Sequence, residues 1–80
     1  MKSLIRFNVI LKPEPEGGFT VLVPSLPGCI TYGKDLEEAK KMSKEAILAY
    51  IQSIKKRGDN IPSDDSESFI SSVEMTEINV

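Results

Sequence analysis

Histidine and tryptophan are absent from this 80-residue chain, cysteine occurs once, and no lysine or arginine follows Arg57. Without histidine there is no Ser-His-Asp or Cys-His catalysis, no His-ligated zinc and no imidazole general base. A lone Cys29 excludes an intramolecular disulfide and a CxxC pair, which fits a reducing, cytoplasmic setting. No apolar run approaches the length of a membrane span, so no membrane partner is expected. The opening MKSLIRFNVIL, broken by Arg6 and Asn8, does not read as a signal peptide.

Charge is present but unevenly placed. All ten Lys/Arg and six of the twelve Asp/Glu precede Gly58, and the other six acids follow it. A net charge of −2 argues against direct nucleic-acid binding, because phosphate contacts supply most of that affinity. The acidic last third suits a basic protein partner. A chain of this length buries a marginal core, so self-association, as a dimer or tetramer, is also expected.

The apolar pattern outlines the fold. Ile5, Phe7, Val9 and Leu11 alternate with Arg6 and Asn8, the period of a half-buried strand over Leu4–Leu11. Pro13 and Pro15 end it, and Gly17-Gly18 permit a reversal into a second strand, Phe19–Val23. In Pro24-Ser-Leu-Pro-Gly-Cys29, Pro24 stops that strand, Pro27 holds Leu26 extended, and Gly28 turns the chain into a third strand, Cys29–Tyr32. Asp35 is a helix N-cap with Glu38 at capping-box spacing. The stripe Leu36, Ala39, Met42/Ser43, Ala46/Ile47, Tyr50 and Ile54 then predicts a long amphipathic helix to Arg57, stopped by Gly58. Val73–Val80 has strand composition and is expected to return beside the first strand. The order β-β-β-α-β predicts an α+β, two-layer sandwich with one helix on one sheet face. The other face, carrying Leu4, Ile10 and Leu22, lacks cover, and that face or an unpaired sheet edge is the expected contact surface.

Few residues suggest chemistry. Cys29 has no cationic neighbour in sequence and reads as a small half-buried residue. Asp64, Asp65 and Glu67 lie in a Ser-rich loop, which is no preformed metal cage, and read as solvated surface. Gly17-Gly18 precedes a strand, whereas phosphate loops open helices. Lys34, Lys40, Lys41 and Lys44 give the helix a basic flank without interleaved aromatics. The chain is therefore read as a non-enzyme with no cofactor or metal. A metal-dependent nuclease is the enzymatic alternative.

The ordered series E-G-G-F, V-L-V-P, L-P-G-C, T-Y-G and E-E-A, followed by G-D-N-I-P, spans about Glu16–Pro62 and resembles the HicB-like antitoxin family. The resemblance implies a partial RNase H-like sheet, expected here as one domain over residues 1–80. Many members also carry a C-terminal DNA-binding domain; the chain is expected to depart from them by having no separate one, since the eighteen residues after Pro62 are too few for it. It implies an antidote that neutralises a small basic ribonuclease toxin (HicA-like) by occlusion, working as a dimer or larger oligomer. The partner-binding residues expected are Glu16, Gly18 and Phe19 in one turn, Pro24, Pro27 and Cys29 in the next, and Asp64, Asp65 and Glu67 for electrostatic steering. The alternative is an orphan homo-oligomeric module with no toxin to bind.

Overall fold

The structure, a computed structural model, describes residues 5–76. Three strands, β1 (Ile10–Pro13), β2 (Phe19–Leu22) and β3 (Ile30–Gly33), form an antiparallel meander in the order β1-β2-β3. One helix, α1 (Leu36–Arg57), follows them, about 33 Å long at 1.5 Å per residue. The α+β arrangement expected from the sequence is thus present. The helix packs chiefly on β3 and less on β2.

Both ends of α1 follow from local chemistry. Asp35 accepts a hydrogen bond from the Glu38 N–H at 2.8 Å, and Glu38 reaches back to the Lys34 N–H at 2.9 Å. That return bond lands one residue earlier than in a standard capping box. At the far end the Gly58 N–H donates to Lys55 O and the Asp59 N–H to Ile54 O, the Schellman pattern. Ala39, Ser43 and Ile54 are buried, with Ala46, Ile47 and Tyr50 half-buried between them. Leu36 departs from the expected stripe and is exposed.

The helix can lie close only because residue 33 has no side chain. A Cβ on Gly33 would fall on the backbone nitrogen and Cα of Ala39, and 2.8 Å from the Glu38 carbonyl carbon. The register places Leu11, Val21 and Thr31 in one row across the sheet, with Val21 fully buried beneath the helix.

Two strand expectations change. Of Leu4–Leu11, only Ile10 onward pairs with β2; residues 5–9 run outside the ladder, though Phe7 and Val9 still pack into the core. Leu4 lies outside the described residues. The expected strand Val73–Val80 is not formed over residues 73–76, which are exposed, and residues 77–80 lie outside the described set.

The segment after the helix is nonetheless tied to residues 6–8. The Asp65 N–H donates to Arg6 O at 2.6 Å. The Asp64 carboxylate accepts the Arg6 N–H at 3.0 Å, and that of Asp65 accepts the Asn8 N–H at 2.8 Å. Side-chain oxygens here satisfy backbone donors that a neighbouring strand would otherwise meet.

Candidate functional site

The Pro-Ser-Leu-Pro-Gly-Cys corner is a folded plug. The Val23 N–H donates to Cys29 O, the Leu26 N–H to Val23 O and the Cys29 N–H to Leu26 O, at 2.9–3.1 Å. These bonds close the loop and drive Leu26 inward, where it is fully buried with Val23 and Cys29 against Phe7, Val9, Ala46, Ile47 and Tyr50. The Tyr50 hydroxyl donates to Pro27 O at 2.8 Å and ties the helix to the same loop. Cys29 is buried, and desolvation pushes its thiol above the usual range, so it is no poised nucleophile. Pro24 and Pro27 are exposed on the outside of the corner.

Asp65 belongs to this end of the molecule. Besides the Asn8 N–H it accepts the Ser25 hydroxyl at 2.7 Å, and it is only 7 % exposed. The reading of the acids as solvated surface therefore fails for Asp65, whose carboxylate takes two donors, the Asn8 N–H and the Ser25 hydroxyl, while its own N–H donates to Arg6 O. Asp64 stands at the rim. Its carboxyl is held below the ordinary range, first by the Arg6 N–H and then by the Ser66 hydroxyl. Glu67 is exposed. Among the described residues no group of three or more His, Cys, Asp or Glu is placed to hold a metal ion.

The other expected turn lies apart. Glu16, Gly18 and Phe19 belong to the β1–β2 hairpin, separated from the corner by the length of β2, about 13 Å. Gly18 has φ +78° and stands under the Tyr32 ring, whose hydroxyl donates to Gly17 O at 2.8 Å; a Cβ there would meet both the ring and Gly33 O. The Thr20 hydroxyl donates to Glu14 and braces the same hairpin. Glu16 is exposed at its tip and Phe19 is half-buried under the helix side of the sheet. The nine expected residues thus divide between two ends, with Glu16, Gly18 and Phe19 at one and Pro24, Pro27, Cys29, Asp64, Asp65 and, in the turn that follows Asp65, Glu67 at the other.

Beside the corner, on the outer face of the sheet, lies a feature that the sequence only half revealed. Ile10, Leu22 and Ile30 are register partners, so they form one apolar row across all three strands on the face away from the helix. Ile10 is 46 % and Ile30 61 % exposed, and Leu22 between them is half-buried. The next row on this face is Lys12, Thr20 and Tyr32. Ile10 and Leu22 were legible as an uncovered face; Ile30 joins them only because the corner sets the register of β3. An apolar row across a sheet with its two outer members in water is a candidate contact surface.

Fold and surface together define a small α+β domain whose outer sheet face carries an exposed apolar row. A family model described as the HicB-like antitoxin of bacterial toxin–antitoxin systems matches residues 7–78. The chain belongs to this HicB-like antitoxin family. It is 46 % identical over 63 residues to a UPF0150 protein of Thermoplasma acidophilum, covering 79 % of this chain and 91 % of that one. It is 34 % identical over 64 residues to a UPF0150 protein of Synechocystis, covering 80 % and 81 %. It is also 39 % identical over 44 residues to the antitoxin HicB of Escherichia coli, covering 55 % of this chain and 32 % of that protein. No helix among the described residues is long and apolar enough to cross a membrane.

Proposed function

We propose that this protein is the antidote of a toxin–antitoxin pair and neutralises a small basic ribonuclease by covering it, without chemistry of its own. Family membership supports the class, and the exposed Ile10–Leu22–Ile30 row supports the mode of action. Occlusion needs a dry, rigid patch, and side chains on a paired sheet are held more firmly than side chains on a loop. Attraction over longer range comes from the segment after Gly58, which carries six acids and no base. Within it Glu67 and Glu74 stand exposed, whereas Asp64 and Asp65 already serve the fold. Glu16 stands exposed at the hairpin tip, the length of β2 away from the row.

Growth rescue tests the proposal. Expression of the basic toxin from its neighbouring reading frame should arrest growth, and co-expression of this chain should restore it. Ile30→Arg, which places a cation on the row, should abolish rescue while the protein remains folded. Continued arrest beside soluble wild-type protein would contradict the reading. So would RNA cleavage by the pure protein with magnesium or manganese.

A further inference from the structure

A three-stranded sheet has two edges, and here they are finished differently. In an antiparallel ladder each residue points both its N–H and its C=O either at the neighbouring strand or away from it. The Val23 N–H donates to Cys29 O, so residues of that parity in β2, Val21 among them, bond to β3. The Glu14 N–H donates to Gly18 O, so Thr20 and Leu22 bond to β1 instead. Ile30 and Tyr32, the register partners of Leu22 and Thr20, therefore aim their backbone groups off the open side of β3. Leu11 and Pro13 do the same on the open side of β1.

The β1 edge is blunted. Pro13 has no N–H to offer, and the exposed Lys12 beside it sets a charge on the same strand. The β3 edge has no such guard: Ile30-Thr31-Tyr32-Gly33 holds neither proline nor charge. Among the described residues no turn, cap or side-chain hydrogen bond uses the N–H or C=O of Ile30 or Tyr32. Their side chains stand exposed on the outer face, with Ile30 at the end of the apolar row. Behind them α1 packs on β3, lying against its backbone at Gly33. The edge is thus held extended before anything binds, which lowers the ordering cost of pairing.

Backbone donors and acceptors repeating at strand spacing, about 7 Å apart, match the main chain of an extended polypeptide. We infer that the open edge of β3 takes a strand of the ribonuclease, so that this protein's sheet continues into its partner through the backbone of Ile30 and Tyr32. The inference rests on the antidote reading above and names the main-chain contact within it. A partner that covers Ile10, Leu22 and Ile30 reaches both edges of the sheet, because the row runs from one to the other. At the Ile10 end Pro13 and Lys12 oppose pairing, and at the Ile30 end nothing on the strand does. A basic strand meets no like charge on β3 itself. Main-chain pairing supplies affinity, while the row and the Tyr32 ring select which strand docks.

Amide hydrogen exchange, read by NMR on the ¹⁵N-labelled full chain with and without the purified cognate toxin, tests the inference. In the free chain the Ile30 and Tyr32 amides should exchange fast, while Thr31, which faces β2, is already slow. In the complex both should slow by at least about a hundredfold. Tyr32→Pro removes an outward N–H and spares the β2 ladder, and the Thr31 before it is already extended. Compared with Tyr32→Thr, which loses the same ring, it should raise the toxin's dissociation constant at least about tenfold with unchanged helical circular dichroism. Toxin that binds while both amides still exchange fast would overturn the edge contact and leave the antidote reading standing. Toxin that does not bind would remove both. Slow exchange of the two amides in the free chain, or equal toxin affinity of Tyr32→Pro and Tyr32→Thr, would also overturn the inference.

Discussion

Replacing Asp65 by alanine removes an acceptor that joins three separate parts of the chain. Its carboxylate takes the Asn8 N–H at 2.8 Å and the Ser25 hydroxyl at 2.7 Å, at 7 % exposure. Hydrogen bonds to a charged group are worth about 1.5–3 kcal/mol each. Asn8 and Ser25 are half-buried, so water recovers part of that loss, and alanine also relieves the cost of burying a carboxylate. We therefore expect a net loss of about 2–3 kcal/mol. A domain of this size has roughly 4–12 kcal/mol in total at ~0.05–0.15 kcal/mol per residue. The matching fall in Tm is roughly 8–24 °C, at ~4–8 °C per kcal/mol. Asp65→Asn should cost only about 1 kcal/mol, because its amide oxygen can accept from Asn8 while its nitrogen donates to Ser25 Oγ. Glu67→Ala, at an exposed site, should stay within about 0.5 kcal/mol. Urea unfolding followed by circular dichroism, at one fixed protein concentration, measures all three. A cost below about 1 kcal/mol for alanine, or asparagine as damaging as alanine, would refute this account of Asp65.

Gly33→Ala should cost about 3 kcal/mol or prevent folding, since its methyl group would strike helix backbone that has no rotamer to yield; differential scanning calorimetry reads this directly. Asp64 carries a pH signature: with its carboxyl held low, it stabilises the fold above the ordinary Asp pKa of about 3.9, and that contribution fades as pH falls through the lower folded-state value. The stability difference between wild type and Asp64→Asn should accordingly be flat from pH 7 to about pH 5 and shrink below about pH 4. The buried Cys29 thiol should react with an aromatic disulfide reagent more than about tenfold slower in the native protein than in guanidinium; equal rates would place it at the surface.

The helix was legible almost to the residue because Asp35 and Gly58 are local signals whose chemistry acts within one turn. The meander was legible too, since Pro13, Gly17-Gly18 and the Pro24–Cys29 corner punctuate alternating runs. Where the reading fell short, the cause was distant in sequence. Asp65 looks like solvent in a Ser/Asp run, and only the approach of Asn8, 57 residues away, buries it. One clue was available: residues 6 and 8 of an extended segment need acceptors, and adjacent acids in a returning loop are able to provide them. Leu26 gave no sign of being the central plug, because a loop has no periodicity to betray its inward residue. Ile30 was recognised as strand but not as part of the contact row, which required the β2–β3 register. The Val73–Val80 apolar pattern was read as a strand of the same chain, yet over residues 73–76 it forms none and stays exposed.

The central claim is that this chain meets a basic ribonuclease through the Ile10–Leu22–Ile30 face. Titrating the cognate toxin with pure protein while following cleavage of a fluorescent RNA tests it most directly. Cleavage should fall linearly and stop at a fixed stoichiometric equivalence; with toxin diluted to near the dissociation constant, Ile30→Arg, folded by circular dichroism, should raise the half-inhibitory concentration at least about tenfold, as expected from losing ~1.4 kcal/mol of contact. Cleavage that persists at excess wild-type protein, or a Ile30→Arg titration that overlays the wild type, would contradict it.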